Sequence, residues 1–248
     1  GGGEASFRAG AEEEQRLLAL AAKMRMNTDV RRRIFVVLMS SRDVPDALER
    51  VARLNLRGKQ DREVPRVLVD CCGQERRYNR FYGSLAAQLC EVNRQHSMTL
   101  QFLFWDALRQ VEDLAERRIV NLARLLGDLV CSFHLSLSVF KVLDVPAMRG
   151  RGVLFVATAL LALFSRDVSE DTFTAVVDRV ASSTDHALVR DNLIVFLHRH
   201  LPEIPEGLDE AERAVMGKRR KQALRALQDM SVLDSLPEPE RKRSRARA

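Results

Sequence analysis

Cysteine and histidine are the side chains that could ligate a metal or attack a substrate in this chain, and their spacing argues against both uses. Cys71, Cys72, Cys90 and Cys131 include no C-x-x-C pair, and His134 follows Cys131 at i+3 with no third or fourth ligand beside it. All four sit in apolar helical patterns, the setting of reduced, buried thiols in an intracellular protein. His198 and His200 stand at i, i+2 in FLHRHL, on different faces of a helix rather than at the i, i+4 spacing of helical metal sites. They suit a helix C-terminus, where a cation meets the dipole. Gly58-Lys59 lacks the rest of G-x-x-x-x-G-K-[ST], and no Ser/His/Asp grouping can be assigned. These residues lead us to expect no enzymatic turnover, no metal, no cofactor and no small-molecule substrate.

The polar groups that could do binding chemistry lie elsewhere. Glu112, Asp113 and Glu116 form an acidic turn between two expected helices. Carboxylates there serve either as N-terminal dipole partners or as a surface for a basic partner. Two basic clusters could carry RNA contact or targeting: Lys218, Arg219, Arg220 and Lys221, then Arg241, Lys242, Arg243, Arg245 and Arg247. The net charge of +6 resides almost wholly in that second cluster, so a broad RNA-binding face is not required. The basic end reads as a nuclear or nucleolar targeting element, a salt-sensitive RNA contact, or a solubilising end. Arg149–Gly152, RGRG, is a single unit where RNA-binding segments repeat several, and we read it as a loop. Phe102, Phe104 and Trp105 would stack on bases only if exposed, and their helical spacing assigns them mostly to the core.

The elements that position these groups are helices. Apolar residues recur at helical spacing, with Val30, Ile34, Val37 and Leu38 in one segment and Val64, Val67, Leu68 and Cys71 in another. Thr28 or Asn27, Asp43 and Asp61 fall where N-caps belong, and Pro45 and Pro65 fall in first turns. The spacing predicts helices over 11–26, 29–40, 44–55, 61–73, 79–93, 96–114, 117–132, 136–144, 152–165, 169–182, 186–201 and 209–230. That rhythm is the rhythm of stacked antiparallel helical hairpins, a HEAT-like all-α solenoid. Val145–Gly152 interrupts it and marks a sub-domain boundary. The helix after it is apolar nearly all round and belongs at the centre of the C-terminal half. The helix over 209–230 is highly charged and only weakly amphipathic, which suits an exposed or partner-dependent helix.

The expected organisation is a flexible start over 1–10, a leading helix over 11–26, a helical-repeat domain over 27–148, a helical extension over 149–230, and a disordered basic tail over 231–248, with Leu201–Gly207 as a linker. A hydrophobic content of 46% supports a substantial core. The longest apolar run, Val153–Phe164, has 12 residues, short of the roughly 20 a membrane helix needs. The chain opens on Gly-Gly-Gly rather than Met, which points to a piece of something longer.

From Met26 to about Val145 the chain resembles the MI (MA-three) domain. This helical-repeat module is found in translation initiation factor 4G, the programmed-cell-death translation inhibitor and two nuclear RNA-processing proteins. MNTDVRRRIF, VLVDCCGQERRYNRFYGSLAAQLC, TLQFLFWD and LSLSVFKVLD stand in order and are most similar to the nucleolar members, which join a 4G-type middle domain to an MI domain. No middle domain of that kind is recognisable in these residues. The resemblance implies a non-catalytic scaffold of the nucleus and nucleolus that docks a DEAD-box RNA helicase or other pre-ribosome proteins, and possibly pre-rRNA, during 18S pre-rRNA processing and small-subunit assembly. In the translation inhibitor, acidic residues between late MI helices contact the helicase, and Glu112, Asp113 and Glu116 correspond to them here. Two alternatives remain. The spliceosomal relative shares the DCC-x-Q-x-x-x-Y-x-x-F run from Asp70 to Phe81, and a direct RNA-binding module would use the basic clusters.

Overall fold

A computed structural model describes residues 2–201 and 209–235, with side chains over 12–201 and 209–231. The expected linker after Leu201 and the tail residues Arg241, Lys242, Arg243, Arg245 and Arg247 lie outside the described residues. Among the described residues the chain is all-α, with eleven α-helices and no strand, and it forms two compact units, 1–103 and 104–248. The division falls inside one helix. The Val145–Gly152 interruption, expected as a boundary, lies within the second unit.

The first unit contains α1 (Gly2–Lys23), α2 (Asp29–Ser40), α3 (Val44–Arg53), α4 (Glu63–Gln74), α5 (Arg80–Val92) and the start of α6 (Arg94–Arg109). The described helix α1 thus begins ahead of the expected Ala11. Thr28 caps α2 by accepting from the Arg31 N–H at 3.2 Å, and Asp43 caps α3 by accepting from the Asp46 N–H at 2.9 Å. Ile34, Phe35, Val37 and Leu38 of α2 are buried, as are Val64, Val67, Leu68, Cys71 and Cys72 of α4. Successive helices pack as stacked hairpins, α2 on α3 and α4, and α5 on α3 and α4. Arg31 braces this stack, donating to Asp70 at 2.7 Å with Glu63 at 3.5 Å.

Asp61 departs from expectation. Helix α4 starts at Glu63 with no side-chain cap, because the Asp61 carboxylate is engaged elsewhere. Its Oδ2 accepts from Asn93 Nδ2 at 2.8 Å and lies 2.9 Å from Nε2 of the buried His96. His96 Nδ1 faces the Leu89 carbonyl at 2.9 Å, so one carboxylate ties the entry to α4 to the α5–α6 junction. Asp61→Ala strands two polar side chains, one of them buried, and should cost about 2 kcal/mol. Urea unfolding checks this, and a loss below about 0.5 kcal/mol would show the bridge to be incidental.

The second unit contains the end of α6, α7 (Glu116–Cys131), α8 (Gly150–Phe164), α9 (Glu170–Ala181), α10 (Ala187–Arg199) and α11 (Glu210–Ser235). As its composition predicts, α8 is central: Phe155, Val156, Ala159, Leu160, Leu163 and Phe164 are buried, and it packs most closely on α7. Its helix starts at Gly150, so Gly150–Gly152, read as loop, make its first turn. One expected helix and the end of another are 3-10 turns instead. Residues 111–113 leave the line of α6, and Leu137–Val142 form a short turn that buries Leu137, Val139 and Phe140. Helix α11 is more deeply packed than its charge suggests, burying Met216, Ala223, Leu224 and Leu227 against α8, α9 and α10.

Candidate functional site

The acidic turn is built by α6 ending at Arg109 and the chain tightening into Val111–Asp113 before α7. Val111 is buried and anchors the turn, while Glu112, Asp113 and Glu116 are exposed. The three carboxylates are not equivalent. Glu112 Oε1 accepts from the Gly152 N–H at 3.0 Å, and the Glu112 carbonyl accepts from the Arg151 guanidinium. Because Arg149, the N-cap of α8, makes no side-chain cap, Glu112 supplies from a distance the carboxylate that the first turn of α8 needs. Asp113 and Glu116 are left facing solvent on a backbone fixed by that link.

The cluster Lys218–Lys221 divides in the same way. Arg219 is 4% exposed. It donates to the Val168 carbonyl at 2.6 Å and to the Ser165 carbonyl, so it closes the C-terminus of α8, and its guanidinium lies 5.3 Å from the centre of the Phe173 ring. Arg220 donates to the carbonyls of Leu197 at 3.0 Å and Leu201 at 3.1 Å, closing α10. Of the four candidates for RNA contact or targeting, Arg219 is thus buried and Arg220 half-buried. Lys218 and Lys221 alone are exposed, and Lys218 lies 3.7 Å from Glu170. The Gln222 amide that donates to Glu170, helped by Lys218 and Arg219, holds that carboxyl below its usual range.

The remaining candidates fall mostly into the framework. Cys71, Cys72 and Cys90 are buried and Cys131 is half-buried, all as free thiols. Burial raises the Cys71 and Cys90 thiols and pushes Cys131 up to about 11, so these sulfurs are poor thiolates at neutral pH. Among the described residues no three His, Cys, Asp or Glu side chains group as metal ligands, and no helix is long and apolar enough to cross a membrane. Phe104 is buried, Phe102 is 54% exposed, and Trp105 is half-buried with Lys141 Nζ 4.4 Å from its ring centre, a cation-π contact. Sequence reasoning missed the partnership of Glu112 with α8. A carboxylate in a tight turn and an uncapped glycine-rich helix start were both readable, but their pairing across 40 positions was not.

An MA3 domain model matches residues 30–136, a span that includes the acidic turn. Residues 30–136 are similar to MA3 domains. Similarity to curated proteins runs beyond it. The chain is 36% identical over 219 residues to the nucleolar MIF4G domain-containing protein 1 of Mus musculus, covering 88% of this chain and 26% of that protein. It is 36% identical over 169 residues to suppressor of glycerol defect protein 1 of Saccharomyces cerevisiae, covering 58% of this chain and 19% of that protein. With pre-mRNA-splicing factor CWC22 of Mycosarcoma maydis it shares 29% identity over 128 residues, 51% of this chain and 14% of that protein. The chain thus spans about a quarter of the mouse protein's length, and the residues that match the MA3 model are followed by helices α8 to α11.

Proposed function

We propose that this MA3 domain and its helical extension are a non-catalytic adaptor of the nucleus and nucleolus, docking a DEAD-box RNA helicase or other pre-ribosome proteins during small-subunit biogenesis. The observation that carries the reading is the acidic turn. Inside the MA3 match, Asp113 and Glu116 stand exposed on a backbone pinned by Glu112 to α8. Pre-organised exposed carboxylates favour a basic partner surface with little ordering cost. The nucleolar setting is favoured over the spliceosomal one because similarity to the mouse nucleolar protein takes in 88% of this chain, whereas that to the splicing factor takes in 51%. A purely RNA-binding module draws less support, since Arg219 and Arg220 are engaged on helix ends.

Reversing charge at Asp113 and Glu116, to lysine at both, should reduce co-purified helicase at least about tenfold while costing no more than about 1 kcal/mol of stability through the first turn of α7. Glu112 is left intact because its carboxylate belongs to α8. Undiminished helicase recovery with the doubly reversed chain would sink docking at this turn. A tagged chain that collects in nuclear speckles rather than nucleoli would favour the splicing alternative.

A further inference from the structure

The stretch RRYNRF at Arg76–Phe81, which runs from the α4–α5 loop into the first turn of α5, is the most strongly basic and aromatic stretch of the first unit. Arg76, Arg77 and Arg80 are all exposed, and Tyr78 and Phe81 between them are half-buried. Tyr82, in the first turn of α5, lies 3.9 Å through its hydroxyl from Met39 Sδ near the end of α2. The α2–α3 turn therefore opens at the same end of the hairpin stack and brings a fourth exposed arginine, Arg42, to it.

The carboxylates at this end have local employment. Asp43 accepts from the Asp46 N–H, Asp46 accepts from the Arg42 N–H and lies 3.8 Å from Arg50, and Glu75 accepts from the Tyr82 hydroxyl at 2.9 Å. Phe81 is held edge-on against Tyr82, with ring centres 5.5 Å apart, so the aromatic element of the stretch has a fixed position.

We infer that this end of the first unit, centred on Arg76, Arg77 and Tyr78, binds single-stranded RNA. Arginines alone would suit any polyanion. Arginines interleaved with aromatic rings match a strand whose phosphates and unstacked bases are both available, which a duplex does not offer. An acidic peptide would use the guanidinium groups but give the rings no flat partner.

The test uses the full chain with Arg241, Lys242, Arg243, Arg245 and Arg247 changed to serine, so that the tail does not mask the loop. Anisotropy of a labelled single-stranded RNA of about 12 nucleotides is followed from roughly 50 to 200 mM salt. Arg76→Ala with Arg77→Ala should weaken binding about tenfold and lower the salt slope by about 1.4, the share of two phosphates on a single strand. Tyr78→Ala should weaken binding with the slope unchanged, and Tyr78→Phe should restore it. If Tyr78→Ala unfolds the chain, the arginine pair decides the matter, since both side chains are exposed. Affinity unchanged by the arginine pair, or no RNA binding by the tail-neutralised chain, overturns the proposal. So does equal binding of a duplex of the same length.

Discussion

Arg219→Ala should destabilise the second unit by about 3 kcal/mol, whatever it does to RNA binding. The side chain is 4% exposed on α11, a helix whose sequence advertises a solvated basic face. Its guanidinium donates to the Ser165 carbonyl at the end of α8 and to the Val168 carbonyl in the α8–α9 connection, lies 3.7 Å from Glu170, and lies against Phe173. Alanine removes all four interactions at once and leaves the Ser165 and Val168 carbonyls without this donor. Lysine should recover only part of the loss, because a single ammonium cannot span two carbonyls as the planar fork does. Lys218→Ala, one residue away but 67% exposed in its side chain, should stay within about 0.5 kcal/mol. Urea unfolding of the full chain reads all three. Equal small losses for Arg219 and Lys218 would return Arg219 to the set of candidate RNA contacts.

Arg219 also shows where sequence reading stops. The helices were legible because each needs an apolar stripe: Ile34, Val37 and Leu38 in α2, and Val64, Val67, Leu68 and Cys71 in α4, lie buried as their spacing required. Thr28 and Asp43 were legible as caps because a cap acts within three residues of its own position. What was not legible is every polar group whose partner is distant in sequence. Asp61 has the form of a cap and is used 32 and 35 residues away. Glu112 has the form of a free acid and caps a helix 40 residues on. Arg219 has the form of a surface cation and reaches back 51 residues to Val168. That the three carboxylates lie at a turn between two helices was legible, but the distinction among them came only with the tertiary contacts. The 3-10 turns escaped for a related reason, since burial of Leu137, Val139 and Phe140 suits either a helix or a tighter turn and packing chooses between them.

Gly127→Val should cost about 3 kcal/mol, because α7 and α8 meet at a spacing that leaves no room for a side chain. A Cβ on Gly127 would stand 2.8 Å from Ala162 Cβ and 3.5 Å from the Ala159 carbonyl oxygen. Neither neighbour can swing aside, as one is the first side-chain atom and the other is backbone. The closeness matters beyond stability: α7 carries Glu116 in its first turn, and the first turn of α8 receives Glu112, so their packing sets the frame of the acidic turn. Gly127→Ala is a gentler probe, since the roughly 1 kcal/mol gained in helix propensity offsets part of the clash. Ala162→Gly removes the obstructing atom. Combined with Gly127→Val, it should recover at least about 1 kcal/mol beyond additivity, as expected for two residues in contact. A double variant whose loss is simply the sum of its parts would mean that the cost at Gly127 arises elsewhere than at this crossing.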